Sequence, residues 1–144
     1  MTLMARYKLL FICFANTCRS PMAEAIARRQ FGTAADVFSA GHHPTGRVAD
    51  YSISTLEALG YDATGLSSKG LDAVPLADMD VIVSLMGAEG LIGLPQHLTA
   101  EKIVWSIRDP YGEDEASYRA TAATLERHLK ELAGELGDGE LSPL

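Results

Sequence analysis

The sequence predicts an α/β fold: a single three-layer domain around a four-stranded parallel sheet. Two patterns point there. Short apolar runs alternate with segments of helical period, the order expected of a parallel sheet with right-handed crossovers. Four residues, Cys13, Gly41, Gly87 and Asp109, fall at or just after the ends of the predicted strands. All four then belong on the rim beyond the carboxyl ends of the strands, where such sheets bind ligands.

In order, Tyr7 to Cys13 is a nearly continuous apolar run, the pattern of a strand buried on both faces. Ser20 to Phe31 reads as a helix, with Met22, Ile26 and Arg29 or Gln30 on successive turns and Gly32 as the stop. Ser20 suits the cap and Pro21 the first helical position. Val37 to Ala40 is a short strand ending at Gly41, and His42 to Arg47 a polar loop. Val48 to Leu59 is a second helix with Ala49, Ile53 and Leu56 on one face. Tyr61 to Ala77 is irregular, broken by Gly65, Gly70 and Pro75. The third strand lies within Met79 to Leu85, a short helix within Gly87 to Leu94, and the fourth strand over Ile103 to Ile107. Ala116 to Leu136 is the last helix, whose Tyr118, Ala122, Leu125, Leu129, Leu132 and Leu136 form one stripe. That stripe reads as core rather than as a partner surface.

The 144 residues suit one domain, its core over about 7–136 and its tail, 137–144, loose. No apolar run reaches membrane-spanning length and no signal peptide is evident, so a cytoplasmic protein without a membrane partner is expected. A net charge of −7 argues against nucleic acid as a partner. Two cysteines make no disulfide framework, and the four histidines stand at no ligand spacing to them, so neither a metal nor another cofactor is expected.

Both cysteines lie in one stretch, Cys13-Phe14-Ala15-Asn16-Thr17-Cys18-Arg19-Ser20. It joins the first strand to the first helix. A loop curled over a helix N-terminus aims backbone N–H groups inward, and the helix dipole adds positive potential. Arg19 adds a planar fork for two oxygens of a tetrahedral anion. Cys13, at the foot of this cradle, would be held as a thiolate nucleophile. The plainer reading is a buried structural cysteine and a surface arginine. Phosphoryl transfer to sulfur also needs an acid for the leaving oxygen. Asp109 on a neighbouring rim loop is the candidate, protonated as attack begins, which burial beside the phosphate would favour. Asp-Pro is equally a common turn pair.

Leu9 to Ala27, LLFICFANTCRSPMAEAIA, resembles the signature of the low-molecular-weight protein tyrosine phosphatases, whose relatives include phosphatase-like arsenate reductases. Ser39-Ala40-Gly41, Asp80 to Met86 and Asp109-Pro110-Tyr111 extend the resemblance, in order, over roughly Lys8 to Leu136. It implies a phosphocysteine formed on Cys13, Arg19 as anion clamp, and Asp109 as general acid and then base. Phe14, Ala15, Asn16, Thr17, Cys18 and Ser20 would complete the phosphate-binding loop, with His43 and Tyr111 on the pocket rim. Ser20 could donate to the thiolate or merely cap the helix. Asn16, tolerant of left-handed backbone, would hold the loop through its side chain. Cys18 would be either loop filler or a thiol that pairs reversibly with Cys13.

Departures from the family pattern bear on the substrate. After Ser39-Ala40-Gly41 the chain has His42-His43-Pro44-Thr45-Gly46, without an aromatic wall beyond imidazole. Leu66 stands where the family has a histidine, and Met86-Gly87 where it has Met-Asp. Only Tyr111 remains of two aromatics after Asp-Pro. Trp105 and the Ser67–Leu71 segment resemble the reductase branch. Yet Ser84 to Gly90 holds none of the extra thiols of thioredoxin-coupled reductases. Three functions therefore stand. The first is a phosphatase acting on phosphotyrosine, in proteins, or on aryl phosphate. The second is an arsenate reductase drawing on an external thiol reductant such as glutaredoxin. The third is an oxyanion-binding or redox-sensing module without turnover.

Overall fold

The computed structural model describes residues 6–137. The tail expected to be loose lies outside them, apart from Gly137 at the helix end. Four strands, β1 (Tyr7–Cys13), β2 (Ala35–Gly41), β3 (Val81–Ser84) and β4 (Glu101–Val104), form one parallel sheet in the order β2-β1-β3-β4. The apolar run of β1 puts it beside two neighbours, and Leu9 to Ile12 are fully buried.

The alternation of side chains divides the sheet into two faces. Leu9, Phe11, Val81 and Val83 point to the face covered by α1 (Arg19–Phe31), α2 (Asp50–Ala58) and α3 (Glu115–Gly137). Leu10, Ile12, Ala40 and Ile82 point the other way. There the covering layer is made of loops and 3₁₀ turns, which bring in Val74, Met79, Leu98 and Ala100. The α3 stripe from Tyr118 to Leu136 is buried as expected and packs against α1 and the sheet.

Three local expectations are corrected. Helix α1 starts at Arg19, with Cys18 in the cap position and no side-chain cap, so Ser20 lies inside the helix. Residues Arg19 to Ala27 are buried, because this end of α1 is enclosed by the sheet and both other helices. Gly87 to Leu94 forms only a 3₁₀ turn, Glu89–Leu91. Gly87 and Gly93 take φ of 74° and 87°, conformations that end a right-handed helix. Strand β4 begins earlier and ends at Val104, so Trp105 lies just beyond it. An edge strand tolerates the exposed Glu101 and Lys102 that an apolar pattern passes over.

Candidate active site

The loop from Cys13 to Arg19 turns at Asn16, whose φ of 49° is the left-handed value that asparagine tolerates. Its carbonyls are drawn outward. His42 N–H donates to Cys13 O, His43 N–H to Phe14 O at 2.8 Å, and Ala49 N–H to Thr17 O at 2.9 Å. The Ser68 hydroxyl takes Ala15 O at 3.0 Å. In a planar trans peptide the N–H opposes the carbonyl, so the amides that follow these carbonyls turn inward. The loop thus curls with its amides turned inward, a shape that suits a bound anion.

Cys13 Sγ lies at the base, 2% exposed as a residue and 3.0 Å from Ser20 Oγ. Arg19 is buried beside it. Its Nη1 donates to Ile107 O at 3.0 Å, and Nη2 lies 3.5 Å from Asp109 Oδ2. Its Nε is buried without a partner among the described residues. A buried donor left unpaired is costly, and an anion seated over Cys13 would satisfy it. Asp109 is not buried: its side chain is 48% exposed, and Oδ1 accepts the Tyr111 N–H at 3.1 Å.

These groups share one cavity of about 230 Å³, lined by Cys13, Phe14, Ala15, Thr17, Cys18, Arg19, His43, Thr45, Asp109 and Tyr111. The two expected rim residues, His43 and Tyr111, are both there. Phe14 adds a wall: its ring sits 4.9 Å from the His43 imidazole and is half exposed. Asn16 and Ser20 lie behind the cradle instead of lining it. A larger hollow of about 460 Å³ runs between Ile107, Pro110 and Thr121, but no thiol lines it. Among the described residues no group of histidine, cysteine, aspartate or glutamate could hold a metal.

Cys18 lines the cavity too, but its thiol is engaged by α3. Its Sγ lies 3.3 Å from the Tyr118 hydroxyl on α3, and Ser52 Oγ donates to its carbonyl. Burial pushes the Cys18 thiol up from its ordinary value, and the Tyr118 contact only partly opposes this. Tyr118 is pushed up too, again chiefly by burial. Both cysteines are free thiols.

The family described as low molecular weight phosphotyrosine protein phosphatase matches residues 8–140. The chain belongs to this family. Within it, the glutaredoxin arsenate reductase of Synechocystis is 28% identical over 131 residues, covering 90% of this chain and 98% of that relative. An arsenate reductase structure from Archaeoglobus fulgidus is 33% identical, with a TM-score of 0.77 over 88% of this chain and 99% of the other. An arginine phosphatase from Geobacillus stearothermophilus shares the fold at a TM-score of 0.83 and 23% identity, covering 96% and 97% of the two chains.

Several residues around the site carry no sequence signal of their own. Thr45 contacts the Thr17 hydroxyl at the cavity wall. Ser68 and Lys69 brace the loop from a segment that reads only as irregular. Glu24 is a charged residue on a helix turn, and nothing local says that it faces inward.

Proposed function

We propose that this chain is an arsenate reductase whose Cys13 attacks a tetrahedral oxyanion and whose turnover is completed by external thiols. The observation that carries the proposal is that Cys13 shares one cavity with the buried Arg19, whose Nε has no partner among the described residues. Relatives more than 25% identical that are named arsenate reductases favour arsenate over phosphate.

The Cys13 thiolate displaces one arsenate oxygen, which leaves as water once protonated, and a sulfur–arsenic(V) bond forms. Asp109, beside Arg19 on the rim, gives that proton. Arg19 and the inward amides hold the charge that develops on the remaining oxygens. An external thiolate then attacks the Cys13 sulfur. A disulfide forms, and the electron pair of the sulfur–arsenic bond passes to arsenic, which leaves as arsenite. A second external thiol reduces this mixed disulfide and restores Cys13. Such a cycle needs a reduced thiol pool, which fits a cytoplasmic setting.

A second reading is hydrolysis of aryl phosphates or phosphotyrosine through a phosphocysteine. The exposed apolar rim of Phe14 and Tyr111 favours it, because a bare oxyanion needs no such wall. The test assays one preparation with arsenate plus glutathione and glutaredoxin, and with an aryl phosphate. Arsenite release that disappears in Cys13→Ser supports reduction. Phosphate release without arsenite from any external thiol overturns it in favour of hydrolysis.

A further inference from the structure

One buried polar group beside the site takes no part in the reaction above, the hydroxyl of Tyr118. Tyr118 sits on the apolar stripe of α3 and is 3% exposed. Its ring belongs to the core under the helices, and Tyr51 of α2 meets it edge-on with ring centroids 5.4 Å apart. A ring packed in this way cannot carry its hydroxyl elsewhere without moving the helices around it. Tyr118 does not line the cavity that holds Cys13. Among the described residues its hydroxyl has one hydrogen-bond partner, Cys18 Sγ at 3.3 Å.

That sulfur has a competing partner. Cys13 and Cys18 line the same cavity, and both are free thiols. A disulfide between them takes the S–H of Cys18 away and draws its sulfur toward Cys13. The Tyr118 hydroxyl is then left in the core without a partner, and a buried donor so stranded carries its desolvation cost. The cost falls on the oxidised loop alone.

We propose that Tyr118 is a positioning residue for the loop thiols: its hydroxyl holds the reduced Cys18 and so sets how oxidising the surroundings must become before Cys13 is lost to a Cys13–Cys18 disulfide. The sign does not depend on which group donates. Whether the hydroxyl donates to the sulfur or accepts from the thiol, the bond belongs to the reduced loop. The other groups that act on Cys18 are Ser52 on α2, Asp109 and Cys13, and Tyr118→Phe leaves all three in place. A purely packing role for Tyr118 predicts no shift, because phenylalanine fills the same ring space.

The exchange is written with glutathione disulfide as oxidant. The Cys13 thiolate attacks one of its sulfurs, and a glutathione thiolate leaves. The Cys18 sulfur then attacks Cys13 Sγ, the internal disulfide forms, and the second glutathione thiolate leaves. The two protons of the protein thiols end on the two glutathione molecules. The protein is oxidised by two electrons and glutathione disulfide is reduced by two.

The test equilibrates the full chain with mixtures of reduced and oxidised glutathione and quenches with acid. The Cys13–Cys18 disulfide is then counted by peptide mass spectrometry. Its midpoint is a value of [GSH]²/[GSSG]. Tyr118→Phe should raise that value about tenfold, to more reducing mixtures, the scale of one stranded buried donor. Cys18→Ser gives the background of glutathione held on Cys13 alone. An unchanged midpoint, or one at a lower value, overturns the proposal. So does the absence of the internal disulfide from both chains in oxidised glutathione. If Tyr118→Phe does not fold, Tyr118→Leu is read by the same criterion. The proposal rests on Cys13 as the reacting sulfur of the site. The equilibrium is read without any oxyanion, so a failure of arsenate turnover and an unmoved midpoint are separate results.

Discussion

Adding one methyl group at Gly41 tests how tightly the cradle is held. Gly41 ends β2 opposite Cys13, and its N–H donates to Lys69 O at 2.9 Å. A Cβ there would lie 2.6 Å from Asn16 N, 2.8 Å from Ala15 C and 2.9 Å from Phe14 O. All three are backbone atoms of the anion loop, so no side chain can swing aside. Ordinary contact begins at 3.4 Å, so the loop backbone at Asn16 must retreat by about 0.8 Å. It cannot retreat freely, because the carbonyls of Phe14 and Ala15 are tied to His43 and Ser68. Overpacking of this kind costs ~1–3 kcal/mol. Gly41 is not at positive φ, so the entropy gain of Gly→Ala, ~0.4–1 kcal/mol, offsets part of that.

The catalytic loss should exceed the stability loss. A displacement near 1 Å at a catalytic group can cost ~10²-fold in rate. Gly41→Ala should therefore lose ~1–2 kcal/mol in urea unfolding and about two orders of magnitude in turnover. Turnover would be measured with both arsenate and an aryl phosphate. Activity within threefold of wild type, with an unchanged unfolding midpoint, would refute the close approach of β2 to the loop.

Cys13→Ser should abolish turnover of either oxyanion while phosphate or vanadate still binds, as read by isothermal titration; appreciable residual activity would exclude Cys13 as nucleophile. Asp109→Asn should slow hydrolysis or reduction by ~10²–10⁴. On a series of aryl phosphates the loss should grow as the leaving group worsens, and a uniform loss would mean that Asp109 only shapes its loop. Peroxide should inactivate the wild type reversibly, with bound phosphate protecting, and Cys18→Ser should recover less activity on reduction. Equal recovery would make Cys18 a purely structural contact of Tyr118.

The cradle was legible in the sequence because its parts are contiguous. Cys13, Asn16 and Arg19 lie within one turn of chain, and a strand before and a helix after are enough to fold it. Asp109 was legible through its place after a strand end, which puts it on the common rim. The support behind the cradle was not. Glu24, Ser39 and Lys69 are brought together by pairing of β1 with β2 and by a bridge between Gly41 and Gly70. In the sequence Glu24 is an ordinary helix charge and Lys69 a loop lysine. The covering turn at Glu89–Leu91 was misread as a helix because its apolar spacing is helical, while Gly87 and Gly93 set its backbone. Trp105 read as a strand residue, yet it lies past the end of β4 and stacks on His128 of α3 at 4.7 Å.

The two cysteines show how spacing and environment separate. Four residues lie between them in one cationic loop, which alone would make both reactive. The helix start divides them. Cys13 precedes the turn and faces Ser20 in the cradle, while Cys18 takes the cap position of α1 and faces Tyr118 across the interior. Burial pushes the Cys18 thiol up from its ordinary value, which makes it a weaker nucleophile toward an oxidised Cys13. To pair with Cys13 its sulfur must leave the Tyr118 hydroxyl. An internal disulfide is then a slow rescue after oxidation.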